Sequence, residues 1–204
     1  VSPAHMRCYC AATCAPGLNM PTSTDMLSAA LLDGPQPLAR LLPRLNISRH
    51  AFGRLVRAHP DRFLRIGARK TARYALARAI PGVASPIPVF EWGASRNVPP
   101  AHLLDLVPIE PCGFAVVPTN GSPTQSYDDL PWFLHDHRPQ GFLGRQIPQL
   151  YPSLHAPDDI RLWSASNVLR YATTVATSPP GGLIIGRAPL MAAQHFHAPG
   201  PEAP

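Results

Sequence analysis

The sequence predicts an α+β protein built in two parts, and three observations support this prediction. Apolar residues recur with helical spacing between residues 24 and 57. Two short runs of strand-forming residues follow, joined by a link that contains glycine. Beyond residue 88, short apolar or alternating runs are separated by Pro, Gly and Asn, which favours a small antiparallel sheet accompanied by helices.

Composition narrows the class of protein. Apolar residues make up 45% of the 204 residues, which is typical of a globular protein with one large or two small domains. Proline accounts for 27 residues, so helices should be short and turns frequent. We find no apolar run of about 18 residues and no pattern of a secretory signal. The expectation is therefore a chain without a membrane span, in the cytoplasm.

Positive charge is concentrated in one short region. Between residues 40 and 78, eleven of the chain's 18 Lys and Arg residues accompany a single acid, Asp61. The local charge of about +10 exceeds the total of +6, so the remainder of the chain is mildly acidic. Such a concentrated positive field is typical of a nucleic-acid-binding domain. The basic residues are Arg40, Arg44, Arg49, Arg54, Arg57, Arg62, Arg65, Arg69, Lys70, Arg73 and Arg78.

Two short helices are predicted at the start of this part. Thr24 is the expected N-cap of the first helix, and Asp25 suits its first turn. Apolar spacing predicts the second helix between Leu38 and Leu45. Pro43 lies inside that helix and would remove one backbone hydrogen bond at a cost of about 3 kcal/mol, so we expect a kink or a shorter helix.

A third helix is predicted to begin after Ser48, which is a suitable N-cap. Phe52, Leu55 and Val56 would form its buried stripe, and basic residues would occupy the other side. Gly53 in its middle costs about 1 kcal/mol relative to alanine. Two helices joined by a short turn, the second basic on its outer face, form a helix-turn-helix.

A hairpin is predicted directly after the third helix. Residues 62–66 and 71–76 are rich in strand formers, and residues 67–70 link them. A hairpin in this position is a wing, so residues 22–78 are predicted to form a winged helix-turn-helix domain.

The basic helix and hairpin predict a surface for double-stranded DNA. Arg49, His50 and Arg54 are the candidates for contacts to base edges, because the start of a recognition helix faces the bases. Protein interaction and RNA binding are the alternatives for such a module. Binding of paired half-sites would suit a homodimer, although the sequence shows no dimerisation signal. Phosphate contacts are assigned to Ser48, Arg57, Arg69, Lys70 and Arg73.

Composition divides the remainder of the chain. Residues 1–21 are expected to be a disordered leader and residues 189–204 a disordered tail. Residues 79–88 are expected to be a linker because they are rich in Pro and Gly. Residues 89–188 would form a small mixed subdomain. Its strands are expected at Val89–Trp92, Ala101–Leu106, Cys112–Val117 and Leu183–Ile185, and a helix within Asp158–Thr174 would be capped by Ser164.

Leu130–Pro152 is expected to supply the core of this subdomain, as two short helices broken at Pro139. His135, Asp136 and His137 would suit a metal or acid-base site. A polar helix end is the simpler interpretation, because no second cluster of ligands or carboxylates accompanies them. The apolar residues expected in this core are Trp132, Phe133, Phe142, Leu143, Ile147 and Leu150.

The four cysteines do not predict a disulfide scaffold. Cys8, Cys10 and Cys14 follow His5 near the start, but a structural zinc site needs a second, distant set of ligands. Cys112 stands alone in the remainder. The sequence therefore predicts no metal and no cofactor.

Two segments resemble a known family. LPWFLHDHRPQGFLGR, at residues 130–145, resembles a stretch of stand-alone HipA-like serine/threonine kinases of the YjjJ type. SRHAFGRLVRAHPDRFLRIGARKTARYAL, at residues 48–76, is similar to the family's recognition helix and wing. The resemblance covers about residues 24–186. It implies a winged helix followed by a HipA-like N-terminal subdomain at residues 89–188, with a kinase core after them.

The motifs of a kinase core are not found in the sequence. Residues 179–182 are too short for a glycine-rich phosphate loop and lack a following lysine. The resemblance therefore transfers no catalytic residue. We expect a DNA-binding regulator without its own enzymatic activity. The alternative is the front portion of a truncated or split HipA-like kinase, related to toxin-antitoxin systems. Such a chain would bind a kinase core in another chain through the surface around Trp132 to Phe142.

Overall fold

The computed structural model describes residues 22–92, 99–175 and 182–196, and the expected leader at residues 1–21 lies outside them. Two antiparallel sheets with several helices confirm the α+β class. None of the helices in these ranges is long and apolar enough to cross a membrane.

Three helices and a small sheet form the first part of the structure. The strands run in the spatial order β1-β3-β2, and both pairs are antiparallel. Side chains from all three helices bury against one face of this sheet, where Leu27, Phe52 and Phe63 are each at most 3% exposed. The elements are α1 Ser23–Leu31, β1 Gln36–Pro37, α2 Leu38–Leu45, α3 Arg49–Ala58, β2 Phe63–Ile66 and β3 Arg73–Leu76.

Local signals fixed the ends of these helices. Thr22, rather than the expected Thr24, caps α1, because the Asp25 backbone N–H donates to Thr22 Oγ1 at 3.2 Å and the Asp25 carboxylate accepts from the Thr22 N–H. α2 keeps its full expected length with Pro43 inside it. α3 begins after Ser48 as predicted, with the Ala51 N–H donating to Ser48 Oγ at 3.2 Å.

The predicted hairpin is confirmed as β2 and β3. Phe63 pairs with Leu76 and Ile66 pairs with Arg73. Its loop is longer than expected, since residues 69–71 form a single 3₁₀ turn and β3 begins at Arg73.

The second sheet has five strands in the order β7-β6-β5-β4-β8, all antiparallel. The four strands expected from the sequence are present, and β7 adds a fifth strand at the edge of the sheet. The strands are β4 Ile87–Glu91, β5 Ala101–Ile109, β6 Gly113–Pro118, β7 Gln125–Tyr127 and β8 Leu183–Ile185.

Helices cover one face of the second sheet. Ser164 caps α5 as predicted, in a reciprocal arrangement with Asn167. Leu134, Trp163 and Leu169, each at most 3% exposed, form the core against this face. The helices are α4 Gly141–Leu150, α5 Ala165–Thr174 and α6 Arg187–Phe196, with 3₁₀ turns at Trp132–His137, Pro152–Leu154 and Ile160–Leu162.

The other face of the second sheet packs on the first sheet. Ala75 of β3 and Ala115 of β6, both 0% exposed, share one buried cluster with Ile66, Val107 and Ile109. Alternation along β6 explains the two-sided burial, because Phe114 and Val116 face the helices while Ala115 faces the first sheet.

Backbone hydrogen bonds join the two sheets as well. The Glu110 N–H donates to the Leu76 carbonyl at 2.9 Å, and the Arg78 N–H donates to the Pro108 carbonyl at 2.8 Å. The structure is thus a stack of four layers: helices α1–α3, the first sheet, the second sheet and the remaining helices.

The structure differs from the sequence prediction at the expected linker and at the expected tail. Within residues 79–88, expected as a linker, Ile80 and Ile87 are 2% and 1% exposed and belong to the core. The tail expected to be disordered from residue 189 is wrong for residues 189–196, which belong to α6. Proline at position 189 lies in the first turn of that helix, where its missing N–H costs no hydrogen bond.

The apolar residues of Leu130–Pro152 are placed differently from the prediction. The segment forms two short helices on either side of Pro139, as expected. Trp132, Phe142 and Leu143 are 72%, 75% and 79% exposed, so the prediction that they form the core is wrong. The core receives Leu134 from this segment instead, and Phe133 and Ile147 pack at its edge.

His137 is a buried titratable group in the second part. It is 4% exposed, its Nε2 lies 3.2 Å from the Leu183 carbonyl, and its Nδ1 has no hydrogen-bond partner among the described residues. Burial lowers the pKa of His137 below its ordinary value of 6.5, and the Leu183 carbonyl and Asp136 only partly oppose this. Protonation therefore favours the unfolded chain.

Substitution of Ile109 tests whether the two sheets are one cooperative unit. Ile109 is 1% exposed in the cluster shared by both sheets, so Ile109→Ala should lower the free energy of unfolding by about 2–5 kcal/mol. Hydrogen exchange, measured by mass spectrometry, should become faster in β2–β3 and in β5–β6 together. Val116→Ala, on the opposite face of β6, is the control and should leave β2–β3 protected. Faster exchange confined to β5–β6 in Ile109→Ala would contradict the shared cluster.

The pH dependence of stability tests the burial of His137. Below its ordinary pKa of 6.5 the unfolded chain binds a proton that the folded chain excludes, so the free energy of unfolding should fall as the pH decreases. The slope contributed by this one group is at most about 1.4 kcal/mol per pH unit. Urea unfolding should show a smaller pH slope for His137→Gln than for the native chain. Equal slopes in the variant and the native chain would refute the assignment.

Candidate nucleic-acid interface

The rotation of α3 is set by its buried side. Phe52 is 1% exposed and packs edge to face on Tyr74 of β3, with 4.7 Å between ring centroids. The opposite side of the helix therefore faces outward. Ser48 caps the helix at its start, and Arg49, His50, Arg54 and Arg57 are all exposed, as the sequence predicted.

The hairpin loop holds the other predicted residues. Arg69 and Lys70 lie in the 3₁₀ turn, Arg73 begins β3, and all three are exposed. Arg69 has a left-handed backbone with φ of 48°, which costs a non-glycine residue about 1–2 kcal/mol. Gly67 is also left-handed, with φ of 75°, and its N–H donates to the Thr124 carbonyl of the second part at 2.8 Å. This bond holds the base of the loop to the body of the protein.

A depression of about 620 Å³ separates α3 from the hairpin. Four cationic side chains line it, with the Phe52 and Tyr74 rings among the other lining groups. The structure therefore brings Arg49 of the helix together with Arg69 and Lys70 of the hairpin. The four cationic residues are Arg49, Arg65, Arg69 and Lys70.

Arg65 was missing from the predicted site. It lies on the same face of β2 as Phe63, which is buried against the helices, so the alternation of the strand carries its side chain towards α3. The alternation was visible in the sequence and put Arg65 on the same face as Phe63, but it did not show that this face meets α3. Arg73 shares the opposite face of β3 with Ala75 and does not line the depression.

A second, smaller depression of about 390 Å³ runs along α3 itself. It is lined by Arg49, His50, Gly53 and Arg57, which lie on neighbouring turns of the helix. Gly53 interrupts the row of long side chains, and the guanidinium of Arg57 folds back to within 3.8 Å of where a Cβ on Gly53 would be.

Charge at this surface is not neutralised within the described part of the chain. The three ion pairs found there are His102–Asp105, Arg138–Asp129 and Arg161–Asp159, and none involves a residue of the two depressions. Two other basic residues of the region serve the fold: Arg62 donates to Ser28 Oγ at 3.0 Å, and Arg78 donates to Ser166 Oγ at 3.4 Å. The site can hold a polyanion such as a nucleic-acid backbone.

His135, Asp136 and His137 do not come together as a metal or acid-base site in the structure. His137 is buried against Leu183, whereas His135 and Asp136 are exposed. Across the described ranges, no three His, Cys, Asp or Glu side chains gather where they could hold a metal ion. The cysteines of the leader lie outside the described residues.

Comparison with known proteins shows which family this chain is similar to. The family model described as YjjJ-like toxin, middle domain, matches residues 83–194, which is more than half of the chain. The chain belongs to the YjjJ-like toxin family. This membership agrees with the resemblance that residues 130–145 carry.

A curated relative supports the same family. The chain is 40% identical over 162 residues to Toxin YjjJ of Escherichia coli (strain K12), and the match covers 78% of this chain. It covers 35% of the relative, so the chain spans about a third of that protein's length. No solved structure matches the chain.

Proposed function

We propose that residues 22–78 are a winged helix-turn-helix that binds double-stranded DNA, in a regulator related to toxin-antitoxin systems. The supporting observation is the group of four cations around the depression between α3 and the hairpin, which form no ion pair with any residue that the structure describes. In this assignment α2 and α3 are the two helices of the motif, and β2–β3 is the wing.

The proposed docking places α3 in the major groove and the hairpin over the sugar-phosphate backbone. Arg49, His50 and Arg54 would contact base edges, because their side chains are exposed along the outer side of α3. A homodimer on paired half-sites would suit this mode. The residues proposed for phosphates are Ser48, Arg57, Arg69, Lys70 and Arg73, and we add Arg65 because it lines the same depression as Arg69 and Lys70.

The second part of the chain is proposed to act as a support and docking unit. We assign residues 89–188 to a HipA-type N-terminal subdomain. The bond from Gly67 to Thr124 and the packing of Ala75 against the second sheet fix the hairpin to this unit. The proposal assigns no enzymatic step to the described residues.

Salt-dependent DNA binding is the test of this function. Arg49→Ala/Arg54→Ala/Lys70→Ala should weaken binding to duplex DNA at about 50 mM salt and flatten its salt dependence, since each phosphate contact contributes about −0.9 to the log-log slope. Fluorescence anisotropy on a labelled duplex measures both quantities.

The matched control removes the same charge elsewhere. Arg145→Ala/Arg161→Ala/Arg187→Ala changes three exposed arginines of the second part, and it should retain the native affinity and slope. Equal losses in both triple variants would show a general charge effect and contradict the assigned surface. A native chain that does not bind duplex at low salt would refute the function.

An exposed apolar surface favours a second candidate function, which is docking to a HipA-like kinase core in another chain. Trp132, Phe142, Leu143 and Leu150 are each at least 67% exposed on the Trp132–His137 turn and α4. A group of large, solvent-exposed apolar side chains on neighbouring helices is typical of an interaction surface.

Truncation of this surface tests the second candidate. Phe142→Ala/Leu143→Ala should weaken binding of a separately produced HipA-like kinase core by about 10-fold or more, since central apolar anchors each contribute about 1–2 kcal/mol or more. Calorimetry measures the affinity. Met26→Ala/Leu32→Ala, which removes two exposed apolar side chains of the first part, should bind like the native chain. Native affinity in the Phe142/Leu143 variant would exclude this surface as the docking site.

A further inference from the structure

Gly53 and Gly144 each lie inside a ten-residue helix, but packing requires glycine at only one of them. A Cβ on Gly144 would lie 2.9 Å from the carbonyl carbon of Pro139, which is closer than side chains tolerate. A Cβ on Gly53 would meet, among the described residues, only the guanidinium nitrogens of Arg57 at 3.8 Å. That is an ordinary contact with the movable end of a side chain.

The backbone of Gly53 does not call for glycine either. It lies in the middle of α3 and is not in the left-handed region, unlike Gly67 in the hairpin loop. Glycine lowers helix stability relative to alanine, because it has more conformational freedom to lose. Glycine therefore makes α3 less stable than alanine would at a position where alanine fits.

The position of Gly53 at the candidate interface can explain why glycine occurs there. Arg49 lies one turn before it and Arg57 one turn after it, and Gly53 lines both depressions of the candidate interface. The Arg57 guanidinium lies over Gly53 in the structure, so a ligand reaches the helix backbone at this point when that movable group turns aside.

We propose, granted the DNA binding proposed above, that Gly53 is the point of closest approach between α3 and the duplex. In the proposed complex the Arg57 guanidinium turns from Gly53 to a phosphate, and the missing side chain then lets the floor of the major groove reach the helix backbone. A methyl group at this position would hold the helix farther from the bases by about 1.5 Å, the length of a carbon-carbon bond. Hydrogen bonds to base edges tolerate much smaller displacements, because they form at about 2.7–3.2 Å.

Gly53→Ala separates this role from a structural one. The variant should raise the thermal unfolding midpoint by about 2–4 °C, as expected for a better helix former in a chain of this size. It should bind the duplex that the native chain selects from a random pool about 10-fold or more weakly, because base contacts are lost. Circular dichroism and fluorescence anisotropy measure the two effects.

Two controls accompany this variant. Ala58→Ser adds one atom at an exposed position of the same helix, away from the Gly53 side, and should bind like the native chain. Gly144→Ala should lower the unfolding midpoint, because the added atom meets Pro139.

The possible results of these measurements distinguish the proposed role of Gly53 from DNA binding itself. A native chain that binds DNA, with a Gly53→Ala variant that binds equally well, would overturn the close approach and leave the proposed function standing. A lower unfolding midpoint for Gly53→Ala would also overturn it, because packing would then need the glycine. A native chain that binds no duplex would refute the proposed function and the close approach together.

Discussion

The stacking of the two sheets is the contact on which the rest of the structure depends. Ala75 and Ala115 are fully buried where the sheets meet, and a larger side chain at either position would force the layers apart. Hydrogen bonds from Glu110 to Leu76 and from Arg78 to Pro108 continue the connection at the level of the backbone. Each sheet thus packs against helices on one face and, around Ala75 and Ala115, against the other sheet on its second face. The four layers follow from this arrangement, since apolar residues on alternate sides of β6 require a partner on each side.

The two sides of this stack differ in the side chains that they expose, which are cationic on one side and apolar on the other. The cationic residues lie on α3 and on the hairpin of the first part, whereas the helices on the other side of the protein include α4 with its exposed apolar residues. The Gly67 N–H donates to the Thr124 carbonyl of the second part, which connects the hairpin loop to the second sheet. DNA at the first layer and a protein at the second would therefore occupy separate surfaces. The body between them would fix their relative position.

Much of the local structure and the chemistry of the candidate site could be predicted from the sequence. Ser48 and Ser164 cap helices because their hydroxyls accept N–H groups three residues ahead, which is a short-range interaction. The residues of α3 that were predicted to contact DNA are exposed for a similar reason. The periodicity of Phe52 and its neighbours determines which side of α3 is buried, and the opposite side faces solvent. The exposure of Phe142 and Leu143 was missed, because periodicity shows which residues share a face and does not show whether another layer covers that face.

By itself, the sequence determined the local charge, the helix caps and the alternation of the strands, all of which depend on residues a few positions apart. Only the tertiary structure decided that Arg65 joins Arg49 and Lys70 around one depression, and that Gly53 is free of packing whereas Gly144 is not. It also decided that the segment around Ile80 belongs to the core. These outcomes rest on contacts between segments far apart in the chain. The spacing of residues along one segment carries no information about which distant segment will cover it.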